Sequence, residues 1–203
     1  MHLNPQFISL RLAWLVSLFA VGAALAEPAA VPLQITSQTR SAPDLGRTYQ
    51  TVQVKRGDLH LAFIPPKQCG VTTNSANEIT IAAPNSAFWI RLAFDRGSGP
   101  ATKDDWRQRL KSHRPGCVIR SEMDRGVAQK NATIFDLEYQ PTPAVALTQR
   151  VVLLTVKDTI IEISCSANRG AQEDAWRSFE QLLGTLRIAE DGKIELPALS
   201  GRL

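Results

Sequence analysis

The fold is decided by residues 151–188, which read VVLLTVKDTIIEISCSANRGAQEDAWRSFEQLLGTLRI. The opening residues, 151–156, carry almost no polar side chains, which is typical of a strand covered on both faces of its sheet. Lys157 and Asp158 interrupt this run, and strand-forming residues resume directly after them. Because only two residues separate the two runs, the pattern predicts a β-hairpin.

The second strand of this hairpin alternates in polarity. Ile161, Ile163 and Cys165 fall on one face, because successive side chains of a strand point to opposite sides of the sheet. The other face carries three polar residues: Glu162, Ser164 and Ser166. We therefore expect the apolar face to join the core and Cys165 to be buried there.

A helix is predicted after the hairpin. From Gln172 onward the apolar residues recur at helical spacing and form one stripe: Ala175, Trp176, Phe179, Leu182 and Leu183. Gly184 is placed to end the helix, and residues 185–188 can then form a short closing strand. The predicted helix covers the hairpin, so the chain is expected to be an α+β protein.

The net charge gives no indication of nucleic-acid binding. The 203 residues carry a formal net charge of +4, and Arg11 supplies one unit of it before the mature region begins. The remaining 22 basic and 19 acidic residues leave a charge of +3 on the mature chain. This excess is too small to predict a nucleic-acid partner, and no basic patch interleaved with aromatic residues occurs.

The N-terminus is typical of a secretory signal peptide. Residues 1–11 are polar and weakly cationic, residues 12–25 are continuously apolar, and cleavage is expected after Ala26. The mature protein would then begin at Glu27 and be secreted or periplasmic. The alternative is an uncleaved membrane anchor, for which the apolar run is short. No later segment is long and apolar enough to span a membrane.

The chain divides into four predicted parts. Residues 1–26 are the signal peptide, and residues 27–46, rich in Ala, Pro, Ser and Thr, are a flexible leader with at most an edge strand near residues 33–36. Residues 47–189 alternate predicted strands with two helices and form the α+β domain. Residues 190–203 are predicted to be a loose C-terminal tail.

Three cysteines, Cys69, Cys117 and Cys165, belong to the mature chain. In an oxidising compartment one pair can form a disulfide, and three pairings are possible. Cys69 and Cys117 each stand beside a glycine in a predicted loop or strand end, so Cys69–Cys117 is the pairing we expect if a bridge forms. No C-x-x-C or paired-histidine spacing predicts a metal site.

The helix before the hairpin is predicted to begin at Thr102, a natural N-cap, and to end before Pro115. Trp106 and Leu110, four residues apart, form its buried side. Its solvent side carries three basic residues: Arg107, Lys111 and Arg114. These three are a candidate anion-binding face, and the alternative interpretation is an ordinary solvated helix surface.

The sequence carries no recognisable catalytic motif. The two histidines of the mature chain, His60 and His113, stand in no Ser-His-Asp or Cys-His arrangement. No nucleotide-binding loop or metalloprotease motif occurs. We therefore assign no catalytic residue and no cofactor, and we predict that the protein is not an enzyme.

The order of the predicted elements resembles the PsbP-like fold of the extrinsic proteins of photosystem II and their secreted bacterial relatives. The resemblance spans residues 47–189 and rests on residues 57–66 (GDLHLAFIPP), the hairpin at residues 151–167, and residues 176–186. It implies an α/β/α sandwich, in which a central antiparallel sheet is flanked by helices. It also implies non-enzymatic binding or assembly of larger complexes outside the cytoplasm.

The functional prediction is thus a non-enzymatic extracytoplasmic binding or assembly module with a protein or an envelope complex as its partner. Two alternatives of other classes stay open. One is a secreted hydrolase or thiol enzyme with an unrecognised site, which a reactive free cysteine or paired carboxylates would favour. The other is a membrane-tethered accessory subunit, which an intact segment 1–26 on the purified protein would favour.

Overall fold

A computed structural model describes residues 31–198 except 76, 98, 100, 101, 143 and 169. The side chains of Asp44 and Ser75 also lie outside the described part. The predicted signal peptide, residues 1–26, the first four residues of the predicted leader, 27–30, and the last five residues of the predicted tail, 199–203, lie outside the described residues.

Eleven strands and two α-helices make up the described part of the chain. The strands are β1 (Gln34–Ala42), β2 (Arg47–Arg56), β3 (Leu59–Phe63), β4 (Gly70–Ser75), β5 (Glu78–Ala82), β6 (Phe88–Arg96), β7 (Val118–Val127), β8 (Lys130–Thr142), β9 (Val145–Val156), β10 (Thr159–Ala167) and β11 (Arg187–Ala189). The helices are α1 (Lys103–His113) and α2 (Gln172–Thr185).

The strands form two antiparallel sheets. The smaller sheet has the order β1-β2-β3-β11, and the larger has the order β4-β5-β6-β10-β9-β8-β7. The hairpin predicted within residues 151–167 is confirmed, since β9 and β10 pair with Val156 opposite Thr159. Strand β10 lies at the centre of the larger sheet, so nearly all of its side chains are buried whichever face they point to.

The main core joins both sheets to α2. It is one continuous cluster of buried residues, and burial of this apolar surface is the principal favourable contribution to folding. Its largest fully buried members include Phe63 of the smaller sheet, Phe94 of the larger sheet and Phe179 of α2. Cys165 belongs to this cluster and is 0% exposed, as its place on the apolar face of β10 predicts.

Helix α1 packs on the opposite face of the larger sheet. Trp106 and Leu110 lie in a second cluster with residues of β8, β9 and β10, which confirms the predicted buried side of the helix. Thr102 caps α1 by accepting a hydrogen bond from the backbone N–H of Asp105, whose side chain accepts one from the N–H of Thr102. This reciprocal cap fixes where the helix begins.

The predicted α/β/α sandwich is wrong. The described chain is mostly β-structure, arranged as two antiparallel sheets with two short helices. A second sheet, rather than a layer of helices, shares the main core with α2. The physical reason is that β1, β2, β3 and β11 pair with one another instead of extending the larger sheet.

Part of the predicted flexible leader is a strand. In the segment 27–46, β1 pairs along its whole length with β2, from Gln34 opposite Lys55 to Ala42 opposite Arg47. Most of its side chains are exposed, so the segment is rich in polar residues and its composition is similar to that of a linker. The predicted tail has no helix or strand as far as residue 198, although Glu190 forms an ion pair with Lys130.

Helix α2 is confirmed, with two differences. It ends at Thr185 rather than Gly184, and the hydroxyl of Thr185 accepts a hydrogen bond of 3.1 Å from the N–H of Ile64. Trp176 is only half-buried, whereas the rest of the predicted stripe is buried. The guanidinium of Arg150 lies 5.2 Å from the centroid of the Trp176 ring, a cation–π contact that covers part of the exposed indole.

Candidate functional site: a polar pocket beside helix α1

A polar pocket of about 420 Å³ opens where the C-terminal end of α1 meets the larger sheet. We call it the α1 pocket and define it by its eight lining residues: Trp89, Arg91, His113, Arg114, Tyr139, Gln149, Ser164 and Ser166. Next to the pocket, apolar side chains of α1 cover parts of β8, β9 and β10 on this sheet face. The pocket is therefore the place where this face changes from apolar core to polar floor.

The register of three strands places the floor residues side by side. Ser166 of β10 lies opposite Trp89 of β6 on one side and opposite Gln149 of β9 on the other. One row further along, Ser164 lies opposite Arg91. The polar face predicted from the alternation in β10 thus forms the floor of the pocket instead of a solvated surface.

The side chain of Arg114 lies in the pocket because its backbone is no longer helical. It is the C-cap of α1, with φ −136° and ψ 73°, and its backbone N–H donates to the carbonyl of Leu110. Its guanidinium donates from Nε to Gln149 Oε1 at 2.8 Å and from Nη2 to Glu162. The side chain of Arg114 is buried, so the helix end is pinned to the sheet by polar contacts rather than by apolar packing.

Glu162 lies beneath the pocket and pairs with two arginines. Its Oε1 accepts from Arg114 and also from Arg91 Nη1 at 3.3 Å. Arg91 in turn reaches Glu78 through Nε at 2.6 Å. Burial alone would raise the pKa of Glu162, but Arg114 and then Arg91 outweigh it, so the pKa lies below its ordinary value. Glu162 is therefore an ionised carboxylate that holds both guanidinium groups in place.

Several hydrogen-bond donors of the pocket have no acceptor within the described part of the chain. Arg114 uses Nε and Nη2 but not Nη1, and Arg91 uses Nε and Nη1 but not Nη2. Ser166 accepts from Gln149 Nε2 at 2.7 Å and keeps its own proton available. The hydroxyl of Ser164 makes no hydrogen bond to a described residue. A guanidinium has five N–H donors, so this floor can serve further acceptors.

Two aromatic side chains border the floor. Trp89 belongs to β6 and Tyr139 to β8, and β10 and β9 lie between them. Three inter-strand spacings separate the two strands by roughly 14 Å. Both side chains are half-buried, so each offers an accessible ring beside the polar floor.

The structure does not bring the predicted anion-binding face together. Arg107 is paired with Glu122 through Nε at 2.7 Å and also with Asp104, on the exposed side of α1. Lys111 is exposed on the helix, whereas Arg114 turns into the sheet. Only Arg114 of the three predicted residues therefore lines the pocket.

The Cys69–Cys117 disulfide, the pairing expected if a bridge forms, is not present, since all three cysteines are free. Cys69 directly precedes β4 and Cys117 directly precedes β7, and these strands are the two edges of the larger sheet. Six inter-strand spacings lie between them, whereas the Cα atoms of a disulfide lie within about 7 Å of each other. Burial raises the pKa of the Cys165 thiol to about 12, and it also raises the pKa of Cys69.

A larger cavity, of about 900 Å³, opens at another part of the surface, beside the turns that join β2 to β3 and β9 to β10. Its charged groups are largely occupied: Lys157 donates to the carbonyl of Glu190 at 2.8 Å, and Arg56 donates to the carbonyl of Phe94 at 3.0 Å. We prefer the smaller α1 pocket as the functional site, because its arginines are held by buried partners and still have unused donors.

Sequence reasoning missed Arg91, Gln149 and Glu162. Glu162 was recognised only as part of a polar face. A useful indication was present: a lone glutamate within an otherwise apolar or hydroxyl-bearing central strand requires a buried cation as its partner. Among the residues that the structure describes, no group of three or more His, Cys, Asp or Glu could hold a metal ion.

Comparison with protein-family models gave no match, and comparison with curated proteins gave none either. Among solved structures, LpqN of Mycobacterium tuberculosis, described as involved in cell envelope biogenesis, matches with 13% identity and a TM-score of 0.50, over 77% of this chain and 91% of LpqN. This match shows a similar fold. Within the described residues, no helix is long and apolar enough to cross a membrane.

Two further solved structures match less well. A PsbP from the cyanobacterium Synechocystis has 9% identity and a TM-score of 0.42, over 78% of this chain and 94% of its own. A protein from Bacteroides thetaiotaomicron has 16% identity and a TM-score of 0.46, over 66% of this chain, and this chain spans 46% of its length.

Proposed function

We propose that the protein is a non-enzymatic extracytoplasmic binding module and that the α1 pocket is its ligand site. The observation that carries the proposal is the floor of the pocket, where Arg91 and Arg114 share the buried carboxylate of Glu162. Desolvating the buried charges of Arg114 and Glu162 costs several kcal/mol per ion, and well-packed apolar residues in place of such a pair are often equally or more stabilising. A role in holding donors for a ligand accounts for this cost.

Binding suits the chemistry of the site better than catalysis does. A general base that works near neutral pH needs a pKa close to that pH, whereas the arginines keep the pKa of Glu162 below its ordinary value. A thiol nucleophile needs a thiolate, whereas the pKa of Cys165 is raised to about 12. Neither group is thus prepared for turnover, which supports the binding proposal over the thiol-enzyme alternative.

The extracytoplasmic location rests on the predicted signal peptide. Residues 12–25 and the cleavage site at Ala26 are typical of an exported protein. LpqN, whose fold is similar, is described as involved in cell envelope biogenesis. A role in the envelope, alone or as part of a protein complex, is therefore part of the proposal.

The proposal is tested by ligand retention. The mature protein, residues 27–203, is immobilised and incubated with a small-molecule extract of the cells that produce it, and retained compounds are identified by mass spectrometry. Ser164→Leu fills the floor of the pocket, and Ser37→Leu makes the same change at an exposed position of β1. Thermal unfolding first verifies that both variants are folded, and Tyr139→Ala provides a second pocket variant if Ser164→Leu is not.

We expect at least one compound to be retained by the wild type and by Ser37→Leu. The pocket variants should not retain this compound. If the pocket variants retain the compound as well as the wild type does, the compound binds outside the α1 pocket and the proposed site is wrong. Failure of the wild type to retain any compound would contradict a small-molecule binding function for the pocket.

A further inference from the structure

The lining of the α1 pocket is one-sided in charge. Its ionisable groups besides Tyr139 are Arg91, Arg114 and His113, and none of the eight residues that line it in the described chain carries a carboxylate. Glu162 is 2% exposed and lies under the floor. The groups that a ligand meets are therefore cationic or neutral donors, while the negative charge is placed behind them.

We infer that the α1 pocket binds a small organic oxyanion, that is, a carboxylate or phosphate group carried on an apolar or ring-shaped body. This inference rests on the proposed function and adds the chemical class of the ligand. The oxyanion would lie against the unused donors of Arg91, Arg114 and Ser164. The body of the ligand would lie against Trp89 or Tyr139.

The donor set fits an oxyanion better than a neutral group. An ionised carboxylate or phosphate is an acceptor only and can take several hydrogen bonds at once. Arginine matches these groups in geometry, and charge-assisted hydrogen bonds are roughly twice as strong as neutral ones. A neutral amide or alcohol would satisfy fewer of the donors and would bring donors of its own.

Two sources of negative charge near the pocket oppose the binding of an anion: the end of α1 and the glutamates that pair with the arginines. The C-terminal end of α1 carries a partial negative charge equivalent to about half a unit, and Glu78 and Glu162 together balance the two arginines. The net field in the pocket is therefore weak. The preference for an anion comes from contact hydrogen bonds made by donors that Glu162 and Glu78 hold in a fixed orientation, and not from long-range attraction.

The floor is also rigid enough for selective binding. Arg114 is fixed by Gln149 and Glu162, and Gln149 is fixed in turn by Ser166. Little conformational freedom of these side chains remains to be lost when a ligand binds, and such pre-organisation favours affinity. The aromatic borders supply apolar contact area, which distinguishes an organic anion from inorganic phosphate.

The inference is tested with one pair of probes that differ in charge but little in shape, and with a second pair that differ in the aromatic body. Benzoate is compared with benzamide, and phenyl phosphate with inorganic phosphate, by isothermal titration calorimetry at millimolar concentration on the mature protein. The variants are Arg91→Gln, which removes the guanidinium with its unused Nη2 donor and its ion pairs to Glu78 and Glu162, and Ser164→Ala, which removes only a hydroxyl. The matched control is Arg177→Gln on α2, where the side chain is 72% exposed.

Benzoate or phenyl phosphate is expected to bind, with benzamide and inorganic phosphate weaker by roughly tenfold or more. Arg91→Gln and Ser164→Ala should each weaken binding of the anion, whereas Arg177→Gln should not. Ser164→Ala keeps the test valid if Arg91→Gln unfolds, because it leaves every ion pair of the pocket intact.

The failures of the two proposals can be told apart. Equal binding of benzamide and benzoate, or failure of both organic anions to bind, overturns the oxyanion class. The binding function itself would stand if a neutral compound from the extract were retained by the wild type and released by Ser164→Leu. Anion binding that Arg91→Gln and Ser164→Ala leave unchanged would overturn the assignment to this pocket.

Discussion

The side chains of Glu162 and Arg114 form a salt bridge between the centre of the larger sheet and the end of α1, with only 3% and 7% of the two side chains exposed. The two residues are 48 positions apart in the chain. Their contact fixes the helix end, orients Gln149 and forms the floor of the pocket. The stability of the fold and the shape of the site therefore depend on the same pair.

Replacing Glu162 by Gln is expected to destabilise the protein by about 3–5 kcal/mol at neutral pH, because Arg114 would remain buried without its counter-ion. Urea unfolding monitored by circular dichroism measures this. The control is Glu173→Gln at an exposed position of α2, which should change the midpoint little. A wild-type midpoint for Glu162→Gln would show that the pair contributes nothing to stability.

The same pair predicts a pH dependence. The folded-state pKa of Glu162 is lowered, so its stabilising contribution is present above the unfolded-state pKa of about 4.3 and is lost as the pH falls through the folded-state value. Wild-type stability should therefore fall more steeply in acid than that of Glu162→Gln. Unfolding midpoints measured from neutral pH down to the acid range test this, and parallel curves for the two proteins would contradict it.

Phe179 and Trp176 should differ in their contribution to stability. Phe179 is fully buried between the sheets, and Phe179→Ala should cost about 3–5 kcal/mol. Trp176 is half-buried beneath Arg150, so Trp176→Ala removes less buried surface and should cost clearly less. Chemical unfolding of the two variants gives the order directly, and a larger loss for Trp176→Ala would mean that α2 packs differently.

The cysteines should be present as thiols, with Cys165 unreactive in the folded protein. Cys165 is fully buried, and its raised pKa leaves almost no thiolate at neutral pH. Alkylation followed by mass spectrometry, before and after unfolding, should label Cys165 only in the unfolded sample. Rapid labelling of native Cys165, or a peptide linking Cys69 to Cys117, would be incompatible with the packing described above.

The mature protein is expected to begin at Glu27. The cleavage site at Ala26 follows a continuous apolar core, as in exported proteins. Intact-mass measurement of the protein recovered from outside the cytoplasm tests this. A mass that includes residues 1–26 would favour the membrane-tethered alternative.

Local patterns in the sequence were sufficient for the hairpin and the last helix. The two-residue gap at Lys157 and Asp158 predicts the β9–β10 turn, and the spacing of Phe179 and Leu183 predicts the buried side of α2. Both features depend on residues that are close in the chain. The assembly of two sheets does not, since β11 pairs with β3 more than 120 residues away, and this pairing leaves no local pattern.

The site was predictable only in part, for a related reason. Arg107, Lys111 and Arg114 share one face of an ideal helix, and this spacing favoured a common surface. The helix ends at His113, so Arg114 follows a different path and meets Glu162 of a later strand. Strand β1 was predicted only in part, as an edge strand near residues 33–36, because an exposed edge strand needs few apolar residues, and its sequence, QITSQTRSA, has few.

The central claim is that a small organic anion binds in the α1 pocket, and the indole N–H signals of the protein test it most directly. Of the four tryptophans, Trp14 lies in the predicted signal peptide, so the mature chain has three indole reporters. Trp89 borders the pocket, Trp106 lies under α1, and Trp176 lies on α2 beyond the opposite face of the sheet.

Benzoate or phenyl phosphate is titrated into the ¹⁵N-labelled mature protein, and the indole signals are assigned by Trp→Phe substitution. The Trp89 signal should shift and saturate with the anion, the Trp176 signal should not move, and benzamide should have little effect on either. A saturating shift of Trp176 with Trp89 unmoved, or no shift of Trp89 with either anion, would contradict the central claim.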